Sequence, residues 1–221
     1  NALNNQVPYQ SWYYDGATNH TGIIWKWDGT AFAVEYHDTA AETRFCDICE
    51  FDGALYAIHK KSGGNCTVLK RTGAGVWVEV LDCTQSHYSC GLFTMIGSGG
   101  TPYIVAWGNI SAPGNAKFHF STDGAAWTSA GDLGIGGWGH LSYVFWDDDN
   151  SVYRAGIGFS VANERTSATM VAGTWADGGA HGHATAPYDG WGDHHKDATL
   201  NVRVGLAACA RIEKFTGAVP W

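Results

Sequence analysis

Leu69-Lys70-Arg71-Thr72-Gly73-Ala74-Gly75-Val76-Trp77-Val78-Glu79-Val80 is the stretch whose reading decides the fold. It reads as a strand, a tight glycine-bearing turn and a second strand opened by a tryptophan. Glycine reaches positive φ at no steric cost, and Val, Trp and Val suit a pleated, half-buried surface. Weakened copies are Trp25-Lys26-Trp27-Asp28-Gly29-Thr30-Ala31-Phe32, Phe120-Ser121-Thr122-Asp123-Gly124-Ala125-Ala126-Trp127, Met170-Val171-Ala172-Gly173-Thr174-Trp175 and Lys214-Phe215-Thr216-Gly217-Ala218-Val219-Pro220-Trp221. Their aromatic anchors, Phe32, Trp77, Trp127, Trp175 and Trp221, are separated by 45, 50, 48 and 46 residues. A period of that size is the mark of a repeat architecture.

The period extends upstream of each anchor. Tyr56, Tyr103, Tyr153 and Val202 lie 47, 50 and 49 residues apart, each 19 to 24 residues before its anchor, in alternating runs that read as strands. Gln10 to Tyr14 takes the same place near the N-terminus, and further strands precede at Phe45 to Phe51, Leu92 to Ile96 and Leu141 to Trp146. Each unit then holds about four strands. A unit of that size cannot bury both of its faces alone, whereas packing against two neighbours around an axis does so and leaves only short edges. The expectation is an all-β chain, a single five-bladed β-propeller domain over 1–221 with blades near 1–38, 39–86, 87–136, 137–186 and 187–221. Trp77, Trp127, Trp175 and Trp221 are then packing residues between blades. A jelly-roll β-sandwich is the competing architecture, but it needs no such period.

Composition agrees with many short strands. The 221 residues include 30 glycines and 14% aromatics, with only 15% charged. The formal charge of −8, from 13 Lys plus Arg against 21 Asp plus Glu, argues against nucleic acid and against an anionic membrane surface. No apolar run is long enough for a membrane-spanning helix.

Six cysteines, Cys46, Cys49, Cys66, Cys83, Cys90 and Cys209, are many for a reducing compartment, and all are disulfide candidates. Cys83 and Cys90 bracket a short polar segment that reads as a loop a disulfide would close. The overall pairing stays open, since six cysteines allow about 15 connectivities. Sequons at Asn19, Asn65 and Asn109 fall at expected turns and mark candidate glycosylation sites. Even cysteines, sequons and an N-terminal Asn, as in a signal-cleaved or excised segment, lead to the expectation of a secreted glycoprotein.

Leu133-Gly134-Ile135-Gly136-Gly137-Trp138-Gly139-His140-Leu141-Ser142-Tyr143-Val144-Phe145-Trp146 resembles the I-G-x-G-G-W-x-x-F-x-F-L-F-F stretch of tachylectin-2-type lectins, and Asp189-Gly190-Trp191-Gly192-Asp193 is a fainter copy. The resemblance covers about one unit, and the family's Asp-Asn-Trp motif is absent. It implies a five-bladed propeller that binds N-acetylated amino sugars between blades. Ser121-Thr122-Asp123-Gly124-Ala125-Ala126-Trp127 also resembles the Asp-box turn of sialidase-like propellers, one residue short between Asp and Gly. In that family the turn is structural, so it implies a propeller and not hydrolysis.

Pyranose rings stack their C–H faces on exposed aromatics while Asp, Asn and backbone groups take the hydroxyls. The aromatics outside the anchor rhythm, Trp12, Trp107, Trp138 and Trp191, with Asp189 and Asp193, are therefore the expected ligand-binding residues. Alternate residues of an extended segment point the same way, so His181 and His183, joined by His194, form a weak candidate metal set. They sit in a stretch, Asp177 to Asp197, that reads as irregular. Asp147 to Asn150 offers oxygens for calcium but lacks the glycine and terminal glutamate of an EF-hand loop. The six glutamates and six arginines are scattered, with no hydrolase, phosphate-loop or dinucleotide signature, and no cofactor is expected. These readings converge on a multivalent, non-catalytic lectin partnered by glycans or glycoproteins. The alternatives are an adhesive or structural module of an extracellular fibre, coat or appendage, with self-assembly, and a glycan-active enzyme.

Overall fold

The structure is a computed structural model that describes residues 2–4, 7–16, 19–40, 43–61, 63–96, 100–110, 116–130, 139–147, 152–159, 163–167, 176–180, 191–196, 201–205 and 211–214, with side chains for 21–40, 43–61, 63–83, 90–96, 100–108, 117–130 and 153. Two compact units are present, residues 1–111 with 118–129, and residues 112–117 with 130–221. Among the described residues no helix is long and apolar enough to cross a membrane.

In the first unit, β1 (Ala2–Asn4), β2 (Val7–Gly16), β3 (Asn19–Trp27) and β4 (Phe32–Asp38) form an antiparallel four-stranded sheet in chain order. The next row runs from β5 (Arg44–Phe51) through β6 (Ala54–Lys60), β7 (Asn65–Gly73), β8 (Val76–Ile96), β9 (Pro102–Ile110) and β10 (Ala116–Ser121) to β11 (Thr128–Ala130), each hydrogen-bonded to the next. The hairpin expected over Leu69 to Val80 is β7, a turn at Ala74 and Gly75, and the start of β8. Strand β8 is 21 residues long. Up to Ser86 it pairs with β7, and from His87 onward with β9. One strand thus closes one group of four and opens the next.

The second unit holds a four-stranded antiparallel sheet, β12 (Gly139–Asp147), β13 (Val152–Phe159), β14 (Asn163–Ser167) and β15 (Ala176–Ala180), and a three-stranded one, β16 (Trp191–Lys196), β17 (Asn201–Gly205) and β18 (Arg211–Lys214). Tyr153, the repeat tyrosine of this region, is buried.

Strand β6 shows why neighbouring sheets of the first unit stack. Successive side chains of a strand point to opposite faces. Leu55 and Ala57 enter one core, with Ile24 from β3, Phe45 and Ile48 from β5, Leu69 from β7 and Trp77 from β8. Tyr56 and Ile58 enter the other, with Phe51, Cys66, Val68, Cys83, Cys90, Leu92, Ile104 and Ala106, against which Trp127 packs. Antiparallel sheets commonly wet one face, but every residue from Leu55 to His59 is buried. Burying a large apolar side chain is worth about 1.5–3 kcal/mol, so a strand apolar on both sides demands a sheet on each. Trp77 fills the first core beside Tyr36, ring centroids 6.3 Å apart. Its expected role as a packing anchor holds.

Three local expectations are corrected. Cys83 and Cys90 bracket no loop, because the chain between them stays extended inside β8 as it changes partners. All five described cysteines carry free thiols here, and Cys209 lies outside the described residues. The sequon asparagines sit within strands near their ends, Asn19 and Asn65 at the first residues of β3 and β7 and Asn109 one residue before the end of β9. The stretch from Asp177 to Asp197, read as irregular, contains most of β15 and all of β16.

Candidate functional site

Two of the repeated turns share one hydrogen-bonding device. Asp123 Oδ1 accepts from the Ala125 and Ala126 amides, both at 2.8 Å, and Asp28 Oδ1 accepts from the Thr30 and Ala31 amides at 2.8 and 2.9 Å. Aspartate bonding its own backbone two and three residues on is a standard way to fix a turn. Glycine follows in both turns, at φ 104° for Gly29 and 67° for Gly124. The aromatic anchor stands four residues after each aspartate, Phe32 and Trp127. At the second turn Ser121 adds a bond from its Oγ to Asp123 and accepts from the Gly124 amide at 2.8 Å. The Ala31 and Thr30 amides hold the Asp28 carboxyl below the usual carboxylate range. Those of Ala125 and Ala126, with the Ser121 hydroxyl, do the same for Asp123.

The surroundings differ. Gly124 lies flat against Tyr56, so a Cβ there would overlap the tyrosine hydroxyl, and Trp127 packs into the core. Around Gly29 there is open space. Phe32 is 45% exposed and meets half-buried Trp27 edge-on, ring centroids 5.2 Å apart. The result is an open depression of about 550 Å³ lined by Lys26, Trp27, Asp28, Gly29, Ala33, Val34 and Glu35. Glu35 forms its fixed wall, accepting from Arg71 Nε at 2.6 Å and from the Gly75 amide at 2.9 Å, with its side chain 7% exposed.

An aromatic surface beside an ionised carboxylate and an ammonium can take a sugar, with the ring's C–H face on the indole and the hydroxyls on the charges. Backbone amides stabilise the charged form of Asp28, and Glu35 accepts from Arg71.

Of the expected site residues, Trp107 is 9% exposed and covers Gly91, where a Cβ would come within 2.6 Å of its indole nitrogen. A buried ring offers no stacking face, so Trp107 packs β9 on β8 and is no sugar platform in this structure. Trp12 lies in β2 opposite Ile23, and Trp191 opens β16 opposite Gly205. Asp193 and His194 are the backbone register partners of Val204 and Arg203 between β16 and β17. Trp138, Asp189, His181 and His183 lie outside the described residues. Among the described residues no group of three or more His, Cys, Asp or Glu could hold a metal ion. Trp27 was missed as a ligand candidate. Its signal was available, because it breaks the repeat, standing where the Asp123 turn has Thr122.

No protein-family model and no curated protein sequence matches the chain. Solved structures do. The SapL1 lectin in complex with alpha methyl fucoside is 12% identical, with a TM-score of 0.61 over 93% of this chain and 71% of that one. The periplasmic gluconolactonase PpgL of Pseudomonas aeruginosa is 11% identical, with a TM-score of 0.55 over 95% and 67%. Trypanosoma rangeli sialidase with the inhibitor DANA is 14% identical, with a TM-score of 0.52 over 77% of this chain, which spans only 29% of the sialidase. These neighbours include both a lectin and enzymes, so the likeness carries the architecture and not the activity. The chain is an all-β protein of the β-propeller type, built from antiparallel four-stranded sheets.

Proposed function

We propose that this chain is a secreted, non-catalytic, multivalent lectin of the tachylectin-2-like kind, a propeller of five blades. The observation that carries the binding reading is the depression at the Asp28 turn, where Trp27 and Phe32 stand at the surface beside Asp28 and Lys26. A SapL1 complex with alpha methyl fucoside among the fold neighbours supports a saccharide as the ligand class. The Leu133 to Trp146 stretch supports N-acetylated amino sugars as the first probes. Repetition supports multivalency, since several weak sites on one body gain avidity without new contacts.

A glycan array followed by titration of the best monosaccharide tests this reading. Trp27→Ala is expected to weaken binding at least about tenfold, or 1.4 kcal/mol, with an unchanged circular dichroism spectrum. Trp138→Ala and Trp191→Ala test the remaining expected platforms in the same assay. Absence of binding to any glycan overturns the lectin reading. Release of free sugar from the bound glycan overturns the non-catalytic one.

A further inference from the structure

Four cysteines from three strands meet in one core: Cys46 of β5, Cys66 of β7, and Cys83 and Cys90 of β8. The strand registers bring them there. Asn65 pairs with Ser86 and Thr67 with Asp82, so Cys66 falls opposite the bulged segment that begins at Cys83. The Leu92 amide donates to Asp47 Oδ2 at 3.1 Å, stitching β8 to β5 one residue from Cys46 and two from Cys90. The Cys90 thiol is within hydrogen-bonding reach of both Cys46 and Cys66.

Hydrogen bonds to Cys46 and Cys66, followed by burial, push the Cys90 thiol well above its ordinary range, and burial pushes Cys83 up to about 12. The hydrogen bond with Cys90 lowers the Cys46 thiol, so one sulfur of that touching pair is favoured as the thiolate that opens a thiol–disulfide exchange.

The four thiols are free in this structure, and we propose that in an oxidising compartment Cys46 bonds to Cys90 and Cys66 to Cys83, two disulfides that lock β8 to β5 and to β7 on either side of the point where β8 changes partners. The alternative Cys66–Cys90 bond would leave Cys46 and Cys83 without a neighbouring partner, and the proposed set leaves none of the four unpaired. Each bond forms by exchange with a small disulfide oxidant such as oxidised glutathione. Two protein thiols give up two protons and two electrons, one S–S bond forms, and the oxidant leaves as two reduced thiols. Cys49, which packs against the same core and whose thiol burial raises to about 12, stays reduced. This inference stands apart from the glycan reading, because it needs only an oxidising compartment.

The test is a disulfide map of the full chain folded in a mixture of reduced and oxidised glutathione. The protein is alkylated in denaturant without reductant and cut with chymotrypsin, which cleaves after Tyr88 and separates Cys83 from Cys90. The expected result is a Cys46–Cys90 and a Cys66–Cys83 cross-linked peptide, with Cys49 alkylated. Reduction should then lower the melting temperature by on the order of 10 °C. Alkylation of all four, a Cys83–Cys90 or Cys66–Cys90 link, or release of a bound metal from intact thiols overturns the proposal. The double variant Cys46→Ser with Cys90→Ser should keep the Cys66–Cys83 link. If that variant does not fold, the wild-type map decides alone.

Discussion

The Asp28 and Asp123 turns share a backbone device and use it in opposite ways. At Asp123 the turn is pressed onto the core, with Gly124 on the Tyr56 ring and Trp127 tucked beneath. At Asp28 the same turn stands clear, with its anchor reduced to an exposed Phe32 and an additional aromatic, Trp27, beside it. Turn geometry therefore does not say whether an aromatic is an anchor or a platform. The neighbouring sheet decides that.

The sharpest break is at glycine. Gly124→Ala should cost about 3 kcal/mol, from left-handed strain plus overpacking against Tyr56, read from the urea midpoint. Adding Tyr56→Phe should recover part of that loss. The Tyr56 hydroxyl is buried with no hydrogen-bond partner among the described residues and occupies the space the new methyl needs. A double variant no better than Gly124→Ala alone would show that the clash is not what limits the turn. Trp127→Ala is expected to cost about 2–3 kcal/mol, while Phe32→Ala stays under about 1 kcal/mol because its ring is already in solvent. Equal costs at the two anchors would erase the distinction drawn between them. Gly29→Ala carries conformational strain without a clash, about 1 kcal/mol by the same measurement.

The smallest effect is electrostatic and common to both turns. Each carboxyl has a folded pKa below its unfolded value, so each stabilises fully above the ordinary aspartate pKa of about 3.9. That contribution is lost as pH falls through the lower folded value. Asp28→Asn and Asp123→Asn should each flatten the acid limb of the stability profile below about pH 4. An unchanged limb in both variants would mean that the amide bonds do not select the charged form.

Strand and turn positions were legible because their causes are local. Glycine at a turn and alternating aromatics in the following strand require no knowledge of partners, and Tyr56, Trp77 and Trp127 could be placed from spacing alone. The run around Tyr56 reads as an alternating strand, but every residue from Leu55 to His59 is buried, because a sheet packs on each of its faces. Cysteine geometry was not legible. It depends on bulges between Phe45 and Asp47 and between Asn65 and Thr67, and a one-residue shift in register turns a side chain to the other face. The apparent loop between Cys83 and Cys90 failed for a related reason. Thr84-Gln85-Ser86-His87 is polar enough for a turn, yet Ser86 pairs with Asn65 of β7 and His87 with Ile110 of β9, so the chain stays extended. Trp107 was misjudged because exposure is a property of the neighbour, here Gly91, and not of the tryptophan.

Strand β8 has a consequence for how this molecule can be cut. The sequence period places a boundary near residue 86, inside a continuous strand. Cleaving there would leave each half of β8 with its own partner strand but with a free end where the continuous strand now joins the two groups. Permuted or split versions should instead open at Ala74–Gly75, where the chain leaves one strand before entering the next. The unit that repeats in the sequence is thus not the unit that can be detached.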